Sequence, residues 1–342
     1  MDDERAMCRA VALAAGVRAV TAPNPWVGAV LESADGRVFE GATAPPGGPH
    51  AEAAALAAAG DAARGATLWC TLEPCSHHGR TPPCADAVIA AGVRRVVVAL
   101  ADPDARVAGR GLERLRRAGV EVLTGVGRAM VAEQLAPYRK HRTTGRPWVV
   151  LKLAASADGR TAAPDGSSQW LTGTEARVDA HRLRAESDAV IVGAGTVRAD
   201  DPALTVRLAE GPDPLRVVLG RIPPHARVRP ALERSGDLAT VLDELGRRGV
   251  VQVLVEGGAT VAGAFHRAGL VDRYVLYLAP RLFGGEDARG LFAGPAAPTL
   301  AEAWQGRVVA VDRLGDDVRI DLAPAPAPSP AGAPSSAHFQ VV

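Results

Sequence analysis

Residues 50–100, HAEAAALAAAGDAARGATLWCTLEPCSHHGRTPPCADAVIAAGVRRVVVAL, decide how this chain folds. Residues 50–59 are almost all alanine and leucine after a Pro/Gly cluster, which predicts a helix beginning at or near His50. Residues 67–71 read as a short strand, 84–91 resume helical composition, and 93–100 form a β-branched strand. Such alternation is the signature of an α/β sandwich with crossover helices.

The same alternation extends both ways. Upstream, residues 3–17 carry apolar side chains at helical spacing, and 27–31 read as a strand after Pro25. Downstream, 111–118 and 120–123 repeat helix then strand, after which 134–147 turn polar and basic without periodicity and read as a linker. A second α/β unit follows: strands at 148–153 and 189–192 with a helix at 175–185 between them, after which residues 215–219, 238–245, 250–255, 260–268 and 271–278 continue the pattern to about residue 322. A chain of 342 residues exceeds what one core usually supports, and the predicted division is 1–145, 146–324 and a disordered Pro/Ala-rich tail, 325–342.

Composition narrows the function. Hydrophobic residues are 47% and charged residues 23%, which places the chain among globular proteins. A net charge of +1 and 4% aromatics argue against a nucleic-acid partner, and no apolar stretch is long enough to suggest a membrane span. The charged N-terminus lacks a secretory h-region, so a cytoplasmic location is expected. Of the four cysteines, Cys70, Cys75 and Cys84 cluster, which in such a chain suggests metal or catalysis before a disulfide framework.

His50-Ala51-Glu52, then Pro74-Cys75 and Cys84, follow the order that zinc deaminases use. One imidazole and two thiolates suit zinc and leave the fourth tetrahedral position open for water. Glu52, unligated, is the expected general acid/base. The alternative is a closed structural site with Cys70 or His77 as fourth ligand, but that leaves Glu52 unexplained. Eight residues separate Cys75 from Cys84, where the commonest deaminase signature has two, and the enlarged loop carries His77, His78 and Arg80. A cationic loop beside the pocket would suit a phosphorylated substrate, with His77 and Arg80 as its contacts.

With His50-Ala-Glu52, Thr71-Leu-Glu-Pro-Cys75-Ser-His77, Thr81-Pro-Pro-Cys84 and Val107-Ala-Gly-Arg-Gly111 together, the chain resembles the bifunctional deaminase/reductase family of riboflavin biosynthesis. The resemblance implies a cytidine-deaminase-like three-layer α/β/α domain followed by a dihydrofolate-reductase-like α/β domain. It also implies zinc and NADPH as cofactors and a homo-oligomer built through the reductase domain. The implied substrate is a diaminopyrimidinone ribosylamine 5′-phosphate, first deaminated and then reduced from ribosyl to ribityl. Thr21-Ala-Pro-Asn24-Pro25 fits the family pattern, implying that Asn24 contacts the pyrimidine, while Thr43 and Asp104 stand where histidine and asparagine are common.

In the second unit, residues 151–159 look like the start of the family's reductase domain and include Lys152, one of only two lysines in the chain. Gly193-Ala-Gly195-Thr196 and Glu256-Gly257-Gly258 each follow an apolar strand, where backbone amides can receive phosphates. Arg198 stands where a Rossmann fingerprint needs its third glycine, so that fold is rejected. By the resemblance, Ala154, Trp170, Thr196, Asp200 and Gly258 would touch NADPH. Ser168, Arg184, Leu204, Arg207 and Glu256 would hold the ribose phosphate. Competing readings are a relative of specialised metabolism with a weak or inactive reductase, a nucleic-acid base deaminase, and a zinc-stabilised scaffold in which Glu52 does nothing.

Overall fold

The computed structural model describes residues 1–76, 82–104 and 107–325. Its first part runs α1 (Asp3–Gly16), β1 (Gly28–Glu32), β2 (Val38–Ala42), α2 (Ala51–Ala59), β3 (Thr67–Leu72), α3 (Cys84–Ala90), β4 (Arg95–Leu100), α4 (Arg110–Arg117), β5 (Glu121–Thr124), α5 (Arg128–Gln134) and α6 (Ala136–Thr144). The strands form one five-stranded sheet, β2-β1-β3-β4-β5, parallel from β3 to β5 and antiparallel around β1.

Two glycines show why this sheet has a helix layer on each face. Gly28 pairs with Ala42 while Gly41 pairs with Ala29, so Gly28 and Gly41 point to opposite faces. A Cβ at Gly28 would lie 1.9 Å from the Ala10 carbonyl oxygen of α1, and one at Gly41 would lie 2.1 Å from that of Ala51 in α2. Each helix therefore lies directly on the sheet backbone, and the three-layer architecture follows. Trp69, Leu68, Leu31 and Val97 fill the core between the layers.

The second part runs β6 (Trp148–Ser156), β7 (Arg160–Ala162), α7 (Thr174–Ala185), β8 (Ala189–Gly193), α8 (Ala194–Asp200), β9 (Leu215–Leu219), β10 (Leu232–Arg234), α9 (Leu238–Arg247), β11 (Gln252–Val255), α10 (Ala259–Arg267), β12 (Arg273–Ala279), β13 (Arg289–Gly290), β14 (Gly306–Leu314) and β15 (Asp317–Pro324). Eight strands form the sheet β10-β9-β8-β11-β6-β12-β15-β14, and β13 pairs separately with β7. The run from β10 to β12 is parallel; β15 and β14 close it as an antiparallel hairpin. The central strands β8 and β11 are buried along their whole length, as expected of parallel strands covered on both faces.

Residues 134–147, expected to be a linker, are instead mostly helix. Pro137 sits in the first turn of α6, Gly145 ends it at φ +74°, and Thr143 and Thr144 bond back to its own carbonyls. The apolar signal is short because the helix is held mainly by polar contacts. Lys140 Nζ lies 2.5 Å from Asp272, His141 Nε2 lies 3.1 Å from the Gly246 carbonyl oxygen, and Tyr138 faces the first sheet's cleft. The chain before α9 retains the short edge strand β10, and the β14–β15 hairpin lies at the end of the stretch, to about residue 322, over which the α/β pattern was expected to continue. The expectation for the tail falls outside the described residues from 326 onward.

Candidate active sites

Both sites lie where open α/β sheets place them, beyond the C-terminal ends of parallel strands. In the first, the Pro/Gly run 45–49 cannot continue a helix, and His50 caps α2 in an extended conformation (φ −74°, ψ 164°). Glu52, in the first turn of α2, is 4% exposed. Cys75 follows β3 in the loop before α3, and Cys84 opens α3 behind Pro83.

The ligand atoms of His50, Cys75 and Cys84 all lie within 4.8 Å of one another. His50 Nδ1 is 3.6 Å from Cys75 Sγ and 3.3 Å from Cys84 Sγ. Tetrahedral zinc with ordinary Zn–N and Zn–S bonds would set such an N···S edge at about 3.6 Å, so the donor set fits zinc. Cys70 is not part of this group: its thiol faces the Val97 carbonyl oxygen within the core. Burial pushes the Glu52 carboxyl up to about 7, a range in which one group can both take and return a proton. His77 and Arg80 lie outside the described residues.

A cleft of about 370 Å³ opens over Glu52, His50 and Cys75, with Asn24, Thr43, Asp102 and Asp104 in its wall. Helix α6 also contributes to it. The Tyr138 hydroxyl lies 3.2 Å from Asp102, and the Arg142 guanidinium stacks over the Tyr138 ring at 5.0 Å. Among the described residues lining the cleft, Arg142 is the one arginine or lysine. The sequence reading missed both side chains because it treated their helix as a linker.

It also passed over Glu73, which stands within a quoted motif. Buried at 3% exposure, its carboxylate accepts backbone N–H bonds from Asp102 (3.1 Å), Gly109 (2.9 Å), Gly111 (2.9 Å) and Leu112 (3.3 Å). A Cβ at Gly111 would lie 2.0 Å from the Pro74 carbonyl oxygen, so the start of α4 is pressed against the loop leading to Cys75. Glu73 thereby ties the loop of Asp102 and Asp104 to the loop of Cys75. Glu73→Ala would strand these amides and is expected to cost at least about 3 kcal/mol, with loss of deaminase turnover. A melting midpoint within about 2 °C of the parent would refute that role.

In the second site, Arg184 of α7 makes a two-pronged ion pair with Glu256, Nε at 2.9 Å and Nη2 at 3.0 Å, just past β11. Burial opposes the Glu256 charge, but Arg184 and Lys152 outweigh it and hold the carboxyl below its ordinary value. Arg184 Nη1 also donates to the Thr205 carbonyl oxygen at 2.6 Å, and Arg207 Nη1 donates to Thr205 Oγ1 at 2.7 Å. Leu204 has φ +55° and its side chain is packed into the core, so only its main chain can face a ligand.

Gly193 precedes α8 and Gly258 caps α10, beyond the neighbouring strands β8 and β11. A Cβ at Gly258 would come no closer than 3.7 Å to Thr196 Oγ1, and one at Gly195 would meet nothing within 4 Å. Gly195 and Gly258 thus leave room beside two helix starts that could receive a dinucleotide's phosphates, whereas a Cβ at Gly193 or Gly257 would meet Val261 at 2.9 and 2.5 Å. Ala154 lies on β6, paired with Tyr277, and Asp200 is the exposed last residue of α8. Ser168 and Trp170 lie on the exposed segment between β7 and α7, with Arg177 over the Trp170 ring at 4.9 Å.

Comparisons with known proteins match this two-site architecture. The family model for the cytidine and deoxycytidylate deaminase zinc-binding region matches residues 1–100, and that for the RibD C-terminal domain matches 147–319. Riboflavin biosynthesis protein RibD of Escherichia coli strain K12 is 42% identical over 365 aligned residues, covering 94% of this chain and 99% of the relative. The chain belongs to the RibD family. The RibD of Mycobacterium tuberculosis is 46% identical over 336 residues, covering 93% of this chain and 96% of its own. The structure of Acinetobacter baumannii RibD superposes with a TM-score of 0.88 at 39% identity, covering 95% of this chain and 99% of that one. A Thermotoga maritima diaminohydroxyphosphoribosylaminopyrimidine deaminase/5-amino-6-(5-phosphoribosylamino)uracil reductase gives 0.85 at 34% identity, covering 94% and 98%. The RibD fold, a deaminase-like domain followed by a reductase domain, is thus the fold of this chain.

Proposed function

We infer that this chain is the bifunctional deaminase/reductase of riboflavin biosynthesis, using zinc and NADPH. The observation that carries the reading is the convergence of one imidazole and two thiols beside a buried carboxylate, in a chain that also pairs Arg184 with Glu256. Residues 1–145 carry the deaminase and 146–324 the reductase. The substrate is 2,5-diamino-6-ribosylamino-4(3H)-pyrimidinone 5′-phosphate.

His50, Cys75 and Cys84 are the zinc ligands, and zinc bound there supplies Lewis-acid activation of water. Glu52 takes one proton from the attacking water and returns it to the ring nitrogen, then carries the second, from the new C–OH group, to the amino group as the C–N bond breaks, leaving a carbonyl and ammonia. Asn24 and the Asp102–Asp104 wall hold the pyrimidine, and His77 and Arg80 meet its phosphate. In the second site NADPH supplies the hydride, with Ala154, Trp170, Thr196, Asp200 and Gly258 in its binding surface. Ser168, Arg184, Arg207, Glu256 and the Leu204 main chain hold the ribose phosphate. Gripping the substrate by its unreacting end leaves the anomeric carbon free to face the nicotinamide.

The test follows substrate mass with purified protein and zinc. A gain of about one dalton without NADPH and a further two or so with it is the expected result. If neither step occurs, the substrate assignment fails; if only the first occurs, the reductase half fails.

No described helix is long and apolar enough to cross a membrane. The working location in this reading is the cytoplasm. The protein also acts as a homo-oligomer assembled through β14: this edge strand leaves Val308 and Val311 each 61% exposed. Light scattering should return a multiple of 35.3 kDa. A Val308→Lys/Val311→Lys variant should shift to monomer, and a monomeric parent would refute the assembly.

A further inference from the structure

Between α8 and β9 the chain crosses α7 without regular structure, carrying Leu204, Thr205 and Arg207. Such a stretch cannot hold its own side chains in place, so what holds its main chain decides where Arg207 stands. Arg184 holds the Thr205 carbonyl oxygen at 2.6 Å, and Asp213 accepts the Val206 N–H at 2.7 Å. The third anchor is His181, whose Nδ1 accepts the Arg207 N–H at 3.0 Å. His181 and Arg184 are three residues apart on α7, on one face, and each is 7% exposed.

The direction of this bond sets the state of the ring. A backbone N–H can only donate, so Nδ1 must present its lone pair and the imidazole proton must sit on Nε2. The surroundings hold it so. Burial, Arg184 and Arg207 push the His181 pKa down to about 4, with Lys152 adding to them and Glu256 opposing, so the neutral ring prevails at physiological pH. A cationic side chain here could not accept the bond.

We propose that His181 is a positioning residue of the reductase site, its neutral Nδ1 holding the Arg207 main chain so that Arg207 stands beside Arg184 as the second phosphate-binding guanidinium. The proposal rests on the reductase reading given above. His181 acts through Arg207 and takes no part in hydride transfer, so its removal should weaken substrate binding and leave the chemical step alone.

The experiment compares His181→Ala, His181→Gln and His181→Asn in the full-length enzyme. The side-chain oxygen of asparagine reaches the position of Nδ1, whereas glutamine's amide reaches that of Nε2. Expected for Ala and Gln is a rise of about tenfold in the reductase KM for the deaminated substrate, with kcat and the KM for NADPH within about threefold, the factor one hydrogen bond of ordinary net strength carries. His181→Asn should stay within about threefold of the parent. The KM for NADPH in the same samples reports that the reductase domain has folded. An unchanged KM in all three variants, an Asn variant as poor as Ala, or a fall in kcat at constant KM would each overturn the proposal. A parent enzyme that reduces no substrate would overturn the reductase reading itself.

Discussion

Glu52→Gln is expected to lower deaminase turnover by about 10³-fold or more while leaving zinc content at the parent level. The amide keeps the volume of the buried side chain but cannot carry a proton between water, ring nitrogen and ammonia. His50, Cys75 and Cys84 are untouched, so metal analysis should still find the parent's zinc. Reduction of the already deaminated substrate should remain within about twofold of the parent, because that site lies on a different sheet. Deaminase turnover within about tenfold of the parent would sink the general acid/base role, and the zinc-scaffold reading would regain its standing.

Arg184→Met should damage the reductase in two separable ways. Glu256 would be left buried without its two-pronged partner, and breaking one side of such a pair costs about 3 kcal/mol or more. Lys152 Nζ, 4.0 Å from the same carboxylate, would recover part of that cost. For a domain of this size the cost corresponds to a fall of roughly 6–12 °C in its melting transition. Substrate KM should rise by about two orders of magnitude, since a buried charge-assisted contact to phosphate is lost as well. Arg184→Met/Glu256→Gln separates the effects, because removing both charges should restore much of the stability without restoring KM. A double variant that recovered KM would show that Arg184 serves Glu256 alone.

The proposed ligand set and its proposed general base could be picked out in the chain because they are local. His50 and Glu52 share the start of one alanine-rich helix, and Cys75 and Cys84 flank the loop that joins a strand to the next helix. The type of many longer elements was legible for a related reason, apolar periodicity being a property of the chain itself, but that of α6, β14 and β15 was not. Short elements escaped it. β7, β10 and β13 span two or three residues each, too few to show a period, and their pairing depends on distant partners.

What the sequence alone determined was thus the chemistry: an imidazole, two thiols and a carboxylate at fixed spacings, and glycines at the exits of apolar strands. Tertiary structure alone decided what surrounds them. Glu73 gains its meaning from amides at residues 102 to 112, Tyr138 and Arg142 from a helix whose polar face conceals its packing, and His181 from the N–H of a residue 26 positions away. The reason is physical: a hydrogen-bonding group can be satisfied by any complementary group the fold brings near, and nothing in the local sequence says which.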